Sequence, residues 1–144
     1  IYTRSIVGSV RCVSETEIKE SKGRVFLAGF VDDNVLSVLY ANCLAFIFPS
    51  FDEGFGMPII EAMSFGAPVI TSNISSMWEI GQDFSIGVNP HSVQDILNAM
   101  ILMSKPEQRA YYRSRSLLRS TDFSWSKHAE ILYELYARSL YASN

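Results

Sequence analysis

Apolar residues occur along this chain in two kinds of segment that alternate with each other. Short continuous runs, bounded by glycine, proline or polar residues, predict buried strands. Longer segments carry apolar residues every three or four positions, which is the period of an amphipathic helix. The runs place strands at residues 25–28, 44–48, 68–71 and 85–88, after the end of a first strand at residues 6–8.

Capping and stop residues mark where the helices begin and end. Ser14 and Glu17 have the spacing of a capping box, and Asp32 or Asp33 can cap the next helix. Pro58 favours a helix start, because proline at the first helical position removes no hydrogen bond. Helices are expected at residues 14–22, from about residue 33, at residues 58–65 and 76–80, and after Ser92, Pro106 and Ser124.

Three of these helices have an apolar stripe that should face the core. The stripe residues are Val35, Leu36, Leu39 and Tyr40; Ile96, Leu97, Met100 and Ile101; and Ile131, Leu132, Leu135 and Tyr136. Strands that alternate with helices predict an α/β fold: a Rossmann-like, doubly wound parallel sheet with helices on both faces. With 144 residues, 48% of them hydrophobic, the chain can bury a core as a single domain.

The most informative segment is the turn between the strand at residues 44–48 and the helix at Pro58. Glu53 and Glu61 flank this turn, and Gly54 and Gly56 lie within it. Unpaired backbone N–H groups before a helix attract anions together with the helix dipole. A glycine-rich turn after a strand is how an α/β sheet holds phosphate at the carboxyl ends of its strands. The segment therefore predicts a site for a phosphate ester whose hydroxyl groups bond to two carboxylates.

The same segment resembles the signature of the group 1 family of retaining glycosyltransferases, which have the GT-B fold. The sequence EGFGMPIIEAMSFGAPVI follows FPS, and Glu53 and Glu61 have the seven-residue separation of the family's glutamate pair. RVFLAGFVDDNVLSVLYANCLAFIFPS is similar to the preceding strand, helix and strand, and FSWSKHAEILYELY is similar to the family's C-terminal helix. The resemblance covers about residues 24–140 and implies the C-terminal half, which binds the nucleotide-sugar donor.

The resemblance implies a role for each residue of the turn. Glu53 is expected to be catalytic: it would accept hydrogen bonds from the donor sugar and favour an oxocarbenium-like transition state. Glu61 is expected to bind the ribose. The alternative for either glutamate is a helix-start carboxylate that only complements the dipole. The donor sugar and diphosphate would be bound, mainly through the backbone, by Gly54, Phe55, Gly56 and Met57.

The base pocket is expected after the strand at residues 25–28. By resemblance, Gly29, Phe30 and Val31 would contact the base, and for Phe30 a place in the core is an equal alternative. Glu79 corresponds to a glutamate that often follows a proline in the family, but Trp78 stands in place of that proline. For Glu79, capping or pairing within its short helix is at least an equal alternative to ligand binding.

Two parts of the family's active site are not recognised in this sequence. Family members have an N-terminal domain that binds the acceptor, a glycan or a lipid, and an early Arg and Lys that neutralise the leaving diphosphate. Arg4 and Arg11 lie in no matching context. Residues 1–144 are therefore expected to form a truncated donor-binding domain, with a C-terminal helix over residues 126–144. Alone, the chain should bind a GDP- or UDP-sugar weakly and transfer little sugar.

Transfer by this family would be retaining, and we expect it to need no metal and no further cofactor. No Asp-x-Asp motif occurs in a metal-binding loop, and His91 and His128 have no partner at metal-ligand spacing. The main alternative is a non-catalytic module that binds a nucleotide sugar or completes a partner protein. Less favoured alternatives are another GT-B enzyme, such as a phosphorylase or a sugar-nucleotide epimerase, and a flavodoxin-like binding protein.

Charge and cysteine content limit the partners. A net charge of −3 gives no argument for nucleic acid. No run approaches the ~20 apolar residues of a membrane-spanning helix, so a cytoplasmic location is expected. Cys12 and Cys43 are expected to be free thiols in a reducing compartment. Basic residues collect late in the chain and predict a solvated helix face, with peripheral contact to anionic lipid as the alternative: Lys105, Arg109, Arg113, Arg115, Arg119 and Lys127.

Overall fold

The structure is a computed structural model that describes residues 6–8 and 25–141. The chain divides into two compact units, residues 1–36 and 37–144. In the first unit, β1 (Ile6–Gly8) pairs in parallel with β2 (Val25–Leu27). The predicted helix at residues 14–22 and Cys12 lie outside the described residues.

Helix α1 (Asp33–Asn42) begins as its sequence predicts. The Oδ1 atom of Asp32 accepts hydrogen bonds from the N–H groups of Asn34, at 3.0 Å, and Val35, at 3.1 Å. These bonds pair two donors that the helix cannot pair itself, so Asp32 is the cap. Of the predicted stripe, Tyr40 is buried, whereas the side chain of Val35 is 47% exposed.

The second unit contains a three-stranded parallel sheet. Its strands are β3 (Phe46–Phe48), β4 (Val69–Ser72) and β5 (Ile86–Val88), in the order β3-β4-β5. Phe46 lies opposite Val69, and Ile70 lies opposite Ile86. The remaining elements are α2 (Met57–Ser64), α3 (Ser75–Gly81), a 3₁₀ turn (Gln82–Phe84), α4 (Val93–Met103), α5 (Pro106–Ser120) and α6 (Trp125–Tyr141).

Strand β4 forms the centre of the core, because all four of its residues are buried. Ile70 packs in one cluster with Val88, Ala99 and Met103. Successive side chains of a strand point to opposite faces, so Val69 and Thr71 face the other side. The buried residues of α2 and α3 complete the core: Ile59, Ala62, Met63, Met77, Ile80 and Gly81.

Burial predictions are wrong in β3, in α4 and in α6, where all four residues of the predicted stripe are exposed. Strand β3 is half-buried instead of fully buried, because β4 and not β3 is central in the three-stranded sheet. In α4 the inner face is formed by Ile96, Ala99, Met100 and Met103, the i, i+3, i+4, i+7 set. Leu97 and Ile101 therefore lie off that face, with exposed fractions of 45% and 54%.

The arginines of α5 do not form the solvated face that the sequence predicts. Arg109 donates to the carbonyl oxygen of Ser104 at 2.8 Å, beyond the end of α4, and Arg113 donates to that of Ala41 near the end of α1. Arg115 and Arg119 donate to carbonyls at the end of α3 and in the 3₁₀ turn. Cations at helix C-termini pair carbonyls that have no intrahelical donor. Contact with anionic lipid stays a prediction.

The described residues include no helix that is both long enough and apolar enough to cross a bilayer. Cys43 is a free, half-buried thiol, and burial raises its pKa, while the nearby Arg113 charge partly opposes that shift. A raised pKa keeps the thiol protonated and unreactive.

Candidate functional site

The turn after β3 ends in a glycine that no other residue could replace without strain. Gly56, immediately before α2, has a φ of 100° and a ψ of 36°. A Cβ atom at Gly56 would lie 3.3 Å from Cδ1 of Ile80 and 3.4 Å from Cδ1 of Ile59. The left-handed backbone therefore favours glycine, and a Cβ atom would also be in tight contact with both isoleucines. Met57 is the first residue of α2, so Pro58 takes the second helical position and not the predicted first.

The backbone N–H groups at the head of α2 are available to a ligand. Among the described residues, no acceptor pairs with the N–H groups of Phe55, Gly56 or Met57. Phe55 and Met57 are exposed, with fractions of 49% and 37%, whereas Gly56 is buried. A Cβ atom at Gly54 would meet nothing within 4 Å, and only Gly56 of the two glycines has a positive φ. The turn therefore presents unpaired donors beside open space, which suits an anion.

A row of hydroxyl groups from β4 and α3 holds this turn. We call Thr71, Ser72, Ser75 and Ser76 the hydroxyl ladder, because their bonds follow the segment of residues 48–53 in order. Thr71 Oγ1 donates to the carbonyl oxygen of Phe48 at 3.1 Å, and Ser72 Oγ donates to that of Ser50 at 2.5 Å.

The upper half of the hydroxyl ladder comes from the first turn of α3. Ser75 Oγ donates to Oδ1 of Asp52 at 3.0 Å, and Ser76 Oγ donates to the carbonyl oxygen of Glu53 at 2.8 Å. The ladder thus continues the pairing of β3 with β4 beyond the end of the sheet. The turn is fixed by bonds to structured elements before any ligand arrives.

Glu53 is half-buried, and its carboxylate has a local donor. Ser50 Oγ lies 3.1 Å from Oε1 of Glu53 and 3.2 Å from the carbonyl oxygen of Asp52. One hydroxyl proton serves these two acceptors. The carboxylate therefore keeps most of its acceptor capacity for a ligand that carries hydroxyl groups.

Glu61 lies on an exposed part of α2 near Tyr40. Burial, and secondly the negative charge of Glu61, raise the pKa of Tyr40 to about 12. The ring of Tyr40 packs edge-on against Phe46, with centroids 5.2 Å apart, and stacks with Phe65 at 6.2 Å. Glu61 is thus an accessible carboxylate beside a phenol that is fixed by two aromatic contacts.

The weaker candidates have varied surroundings. Gly29, after β2, has a φ of 63°, and the side chain of Phe30 is 97% exposed, so the core alternative for Phe30 is wrong. Val31 is half-buried. A role for these three residues in base binding stays a prediction. The side chain of Glu79 is exposed, and its carbonyl oxygen accepts a 2.8 Å bond from Arg119.

Two aromatic residues that the sequence did not single out, Phe51 and Phe123, have ring contacts at or beside the turn. The ring of Phe55 lies 6.3 Å from that of Phe123, edge to face, and Phe51 lies 4.7 Å from His91. Arg119 lies over the ring of Phe123 at 4.9 Å. Over residues 6–8 and 25–141, no group of three or more His, Cys, Asp or Glu side chains could hold a metal ion.

Sequence reasoning missed the hydroxyl ladder as well. Its only sequence signal is the segment TSNISS, in which two hydroxyl pairs flank the turn between β4 and α3. Each pair could equally cap a helix or face solvent, because the acceptors lie 22 or 23 residues away along the chain.

Comparison with known proteins supports the identification that the turn favours. The family model described as glycosyl transferases group 1 matches residues 6–117. The chain is 39% identical over 126 residues to a serotype-specific mannosyltransferase WbdA of Escherichia coli, covering 85% of this chain and 15% of that protein. It is 41% identical over 106 residues to the O-antigen chain mannosyltransferase B of Escherichia coli, covering 72% of this chain and 28% of that protein.

Solved structures agree on the fold. A sucrose-phosphate synthase from Thermosynechococcus elongatus superposes with a TM-score of 0.77 and 27% identity, over 90% of this chain and 34% of that one. The C-terminal domain of a group 1 glycosyl transferase, LpcC from Francisella tularensis, gives a TM-score of 0.65 and 27% identity, over 75% and 58% of the two chains. The chain spans less than a third of both mannosyltransferases. The family match, the relatives and the α/β fold agree, and the chain belongs to the group 1 glycosyltransferases.

Proposed function

We propose that the chain is the donor-binding half of a hexosyltransferase and that it binds a nucleoside diphosphate sugar at the head of α2. The observation that carries this proposal is that the N–H groups of Phe55, Gly56 and Met57 have no acceptor among residues 6–8 and 25–141. They lie where the dipole of α2 is positive, and the left-handed Gly56 ends the turn there. A diphosphate supplies the negative charge that such a site favours.

The carboxylates on either side of these amides suit the two sugars that a diphosphate joins. Glu53, held by Ser50, would accept hydrogen bonds from the donor hexose. Glu61, exposed on the next turn of α2, would accept them from the ribose. A hydrogen bond to a charged group contributes ~1.5–3 kcal/mol, so each carboxylate can add substantially to donor affinity.

Glu53 would also act in the transfer step. As the bond from the sugar to the diphosphate breaks, positive charge develops on the sugar ring and negative charge on the leaving group. A fixed carboxylate stabilises the first, and the amides at the head of α2 stabilise the second. The proposed transfer retains the anomeric configuration, and the acceptor is a glycan or a lipid bound by a further domain.

The mannosyltransferase relatives make a GDP-sugar with mannose the first donor to test, with UDP-sugars as the alternative. We propose that the isolated chain binds such a donor weakly and is inactive alone, because acceptor binding and the cations that neutralise the leaving diphosphate would come from outside it.

A titration panel tests donor binding. The chain is titrated with GDP, GDP-mannose, UDP and UDP-glucose, and the melting temperature and ligand-observed NMR signals are followed. At least one nucleotide sugar should stabilise the chain, and it should bind more tightly than mannose or phosphate alone. If none of the four nucleotides binds, the proposal fails.

Variants at the two glutamates test their separate roles. Glu61→Ala should lower the affinity for a nucleoside diphosphate and for its sugar conjugate alike, by about tenfold. Glu53→Ala should lower mainly the affinity for the sugar conjugate. Glu107→Ala, an exposed glutamate in the first turn of α5, is the matched control and should change neither affinity.

The second candidate function is a non-catalytic nucleotide-sugar-binding module. It shares the binding site, so binding cannot separate it from the enzyme. Transfer of radiolabelled mannose to an acceptor lipid or glycan, measured after adding a separately expressed acceptor-binding domain, separates them. Loss of that transfer in Glu53→Ala supports the enzyme, and unchanged transfer supports the module.

A further inference from the structure

The hydroxyl ladder reaches the one residue for which we propose a catalytic role. Ser76 Oγ donates at 2.8 Å to the carbonyl oxygen of Glu53, in half-buried surroundings. This bond fixes the backbone of Glu53, whereas the bond from Ser50 meets its carboxylate. Between them, the two hydroxyls determine where the residue sits and how its carboxylate is directed.

Helix α3, which carries Ser76, is itself held at both ends. Ser75 has a φ of 58° and Gln82, just after the helix, has a φ of 30°. Non-glycine residues adopt such angles only when their surroundings hold them there, and such residues cluster at functional sites. At the far end, Arg119 donates to the carbonyl oxygens of Glu79, at 2.8 Å, and Ile80, at 2.9 Å.

The contact between Gly81 and its neighbours leaves α3 little freedom to slide. A Cβ atom at Gly81 would lie 2.4 Å from Ser85 Oγ and 2.9 Å from Cγ2 of Thr71. Thr71 belongs to the buried strand β4 and is a member of the hydroxyl ladder. The packing of α3 against the core thus fixes the position of Ser76. The hydrogen bond from Ser76 in turn fixes the backbone of Glu53.

We propose that Ser76 is a positioning residue for the donor sugar, which acts through Glu53. This inference rests on the proposed function, since it takes the carboxylate of Glu53 as the group that bonds to the sugar. Without the Ser76 hydroxyl, no hydrogen bond seen in the described part of the chain joins the backbone of Glu53 to α3, so its carboxylate samples more directions. Binding of the sugar is then weakened, while the diphosphate site at the head of α2 is unchanged.

A double-mutant cycle tests the proposal on the chain itself, with GDP and GDP-mannose or with UDP and UDP-glucose, whichever pair wild type binds. Ser76→Ala should lower the affinity for the nucleotide sugar about fivefold and the affinity for the free nucleoside diphosphate less than about twofold. In the Glu53→Ala background, Ser76→Ala should cause no further loss, because the side chain through which it acts is already gone. Ser76→Thr, which keeps a hydroxyl, should restore binding.

Two further variants control for folding. Ser114→Ala removes a hydroxyl that donates at 2.7 Å to a helical carbonyl on the exposed side of α5, and it should leave both affinities unchanged. If Ser76→Ala does not fold, Ser76→Cys replaces it, because a thiol keeps the volume and donates only weakly.

The outcomes separate this inference from the proposed function. If wild type binds the nucleotide sugar but Ser76→Ala weakens binding of the sugar conjugate and of the free diphosphate equally, Ser76 is only structural and the inference fails alone. The same holds if the loss from Ser76→Ala adds fully to the loss from Glu53→Ala. If wild type binds no nucleoside diphosphate or its sugar, both proposals fail together.

Discussion

Helices α2 and α6 both carry apolar residues at helical spacing, but these residues are buried in α2 and exposed in α6. Ile59, Ala62 and Met63 of α2 are completely buried against the sheet and α5. In α6, Ile131, Leu135 and Tyr136 have exposed fractions of 50%, 57% and 69%. Apolar spacing therefore predicts which face of a helix is suited to burial. It does not identify what covers that face.

The same contrast holds for the polar groups of the two regions. Near the turn and α3, three hydroxyls of the ladder and Arg119 donate to backbone carbonyls that lie far away in sequence. In α6, by contrast, an ion pair joins Arg138 to Glu134 at 3.6 Å, one turn apart on an exposed surface. Long-range bonds to fixed carbonyls position a site, whereas exposed local pairs contribute little.

Replacing an isoleucine by alanine in α2 and in α6 should give the largest difference in the free energy of unfolding. Ile59→Ala removes a fully buried side chain and should lower the free energy of unfolding by about 2–5 kcal/mol. Ile131→Ala, its matched control in α6, should change it by less than about 0.5 kcal/mol. Urea denaturation followed by circular dichroism measures both. Equal losses would show that α6 is packed as tightly as α2.

The next largest effect on stability should come from replacing a glycine by alanine. Gly81→Ala should destabilise the chain by about 1–2 kcal/mol, because overpacking of ~1–3 kcal/mol exceeds the gain in helix propensity. Gly54→Ala should leave stability unchanged, since a Cβ atom there meets nothing within 4 Å. It should nevertheless weaken the nucleotide sugar if the ligand approaches that backbone. Thermal denaturation and ligand titration together check this pair, and a destabilised Gly54→Ala would contradict it.

Replacing an arginine by alanine should change stability less than the substitution at Gly81. Arg119→Ala removes the donors to two carbonyls at the end of α3 and should cost about 1 kcal/mol of stability. Arg138→Ala, on exposed α6, should cost less than about 0.5 kcal/mol. Chemical denaturation of both variants gives the comparison. A larger loss for Arg138→Ala would reverse the order of the two regions.

The pH dependence of Tyr40 should be the most subtle effect. Its pKa is raised from 10.0 to about 12 in the folded chain, first by burial and then by Glu61. The stability linked to this group is therefore fully present below pH 10 and is lost as the pH rises towards 12. Glu61→Gln should lower the pKa of Tyr40, as read from phenolate absorbance. An unchanged pKa would show that Glu61 does not lie near the phenol.

Much of this fold could be predicted from local signals. The caps at Asp32, Ser92 and Ser124 are confirmed, because each accepts a bond from an N–H group two or three residues later. Strands β1 to β5 occur where the apolar runs predict them, within a few residues. Capping and strand formation depend on near neighbours, so a single sequence contains the information.

The rest depends on contacts between distant residues. The Ser76 hydroxyl and its acceptor are 23 residues apart, and Arg119 and Glu79 are 40 apart. Charge spacing on α5 alone looks the same whether its arginines face solvent or cap neighbouring helices. The glycine-rich turn was predicted from its residues, but the groups that hold it could only be found once the elements were packed together.

The central claim is that the amides at the head of α2 bind the diphosphate of a nucleotide sugar. Amide proton–nitrogen spectra of the isotope-labelled chain, recorded during a titration with GDP, GDP-mannose, UDP and UDP-glucose, test it most directly. The account predicts that the signals of Phe55, Gly56 and Met57 shift together, and that they shift with the diphosphate as well as with its sugar. If those three signals stay fixed while a bound ligand shifts amides elsewhere, the account is contradicted.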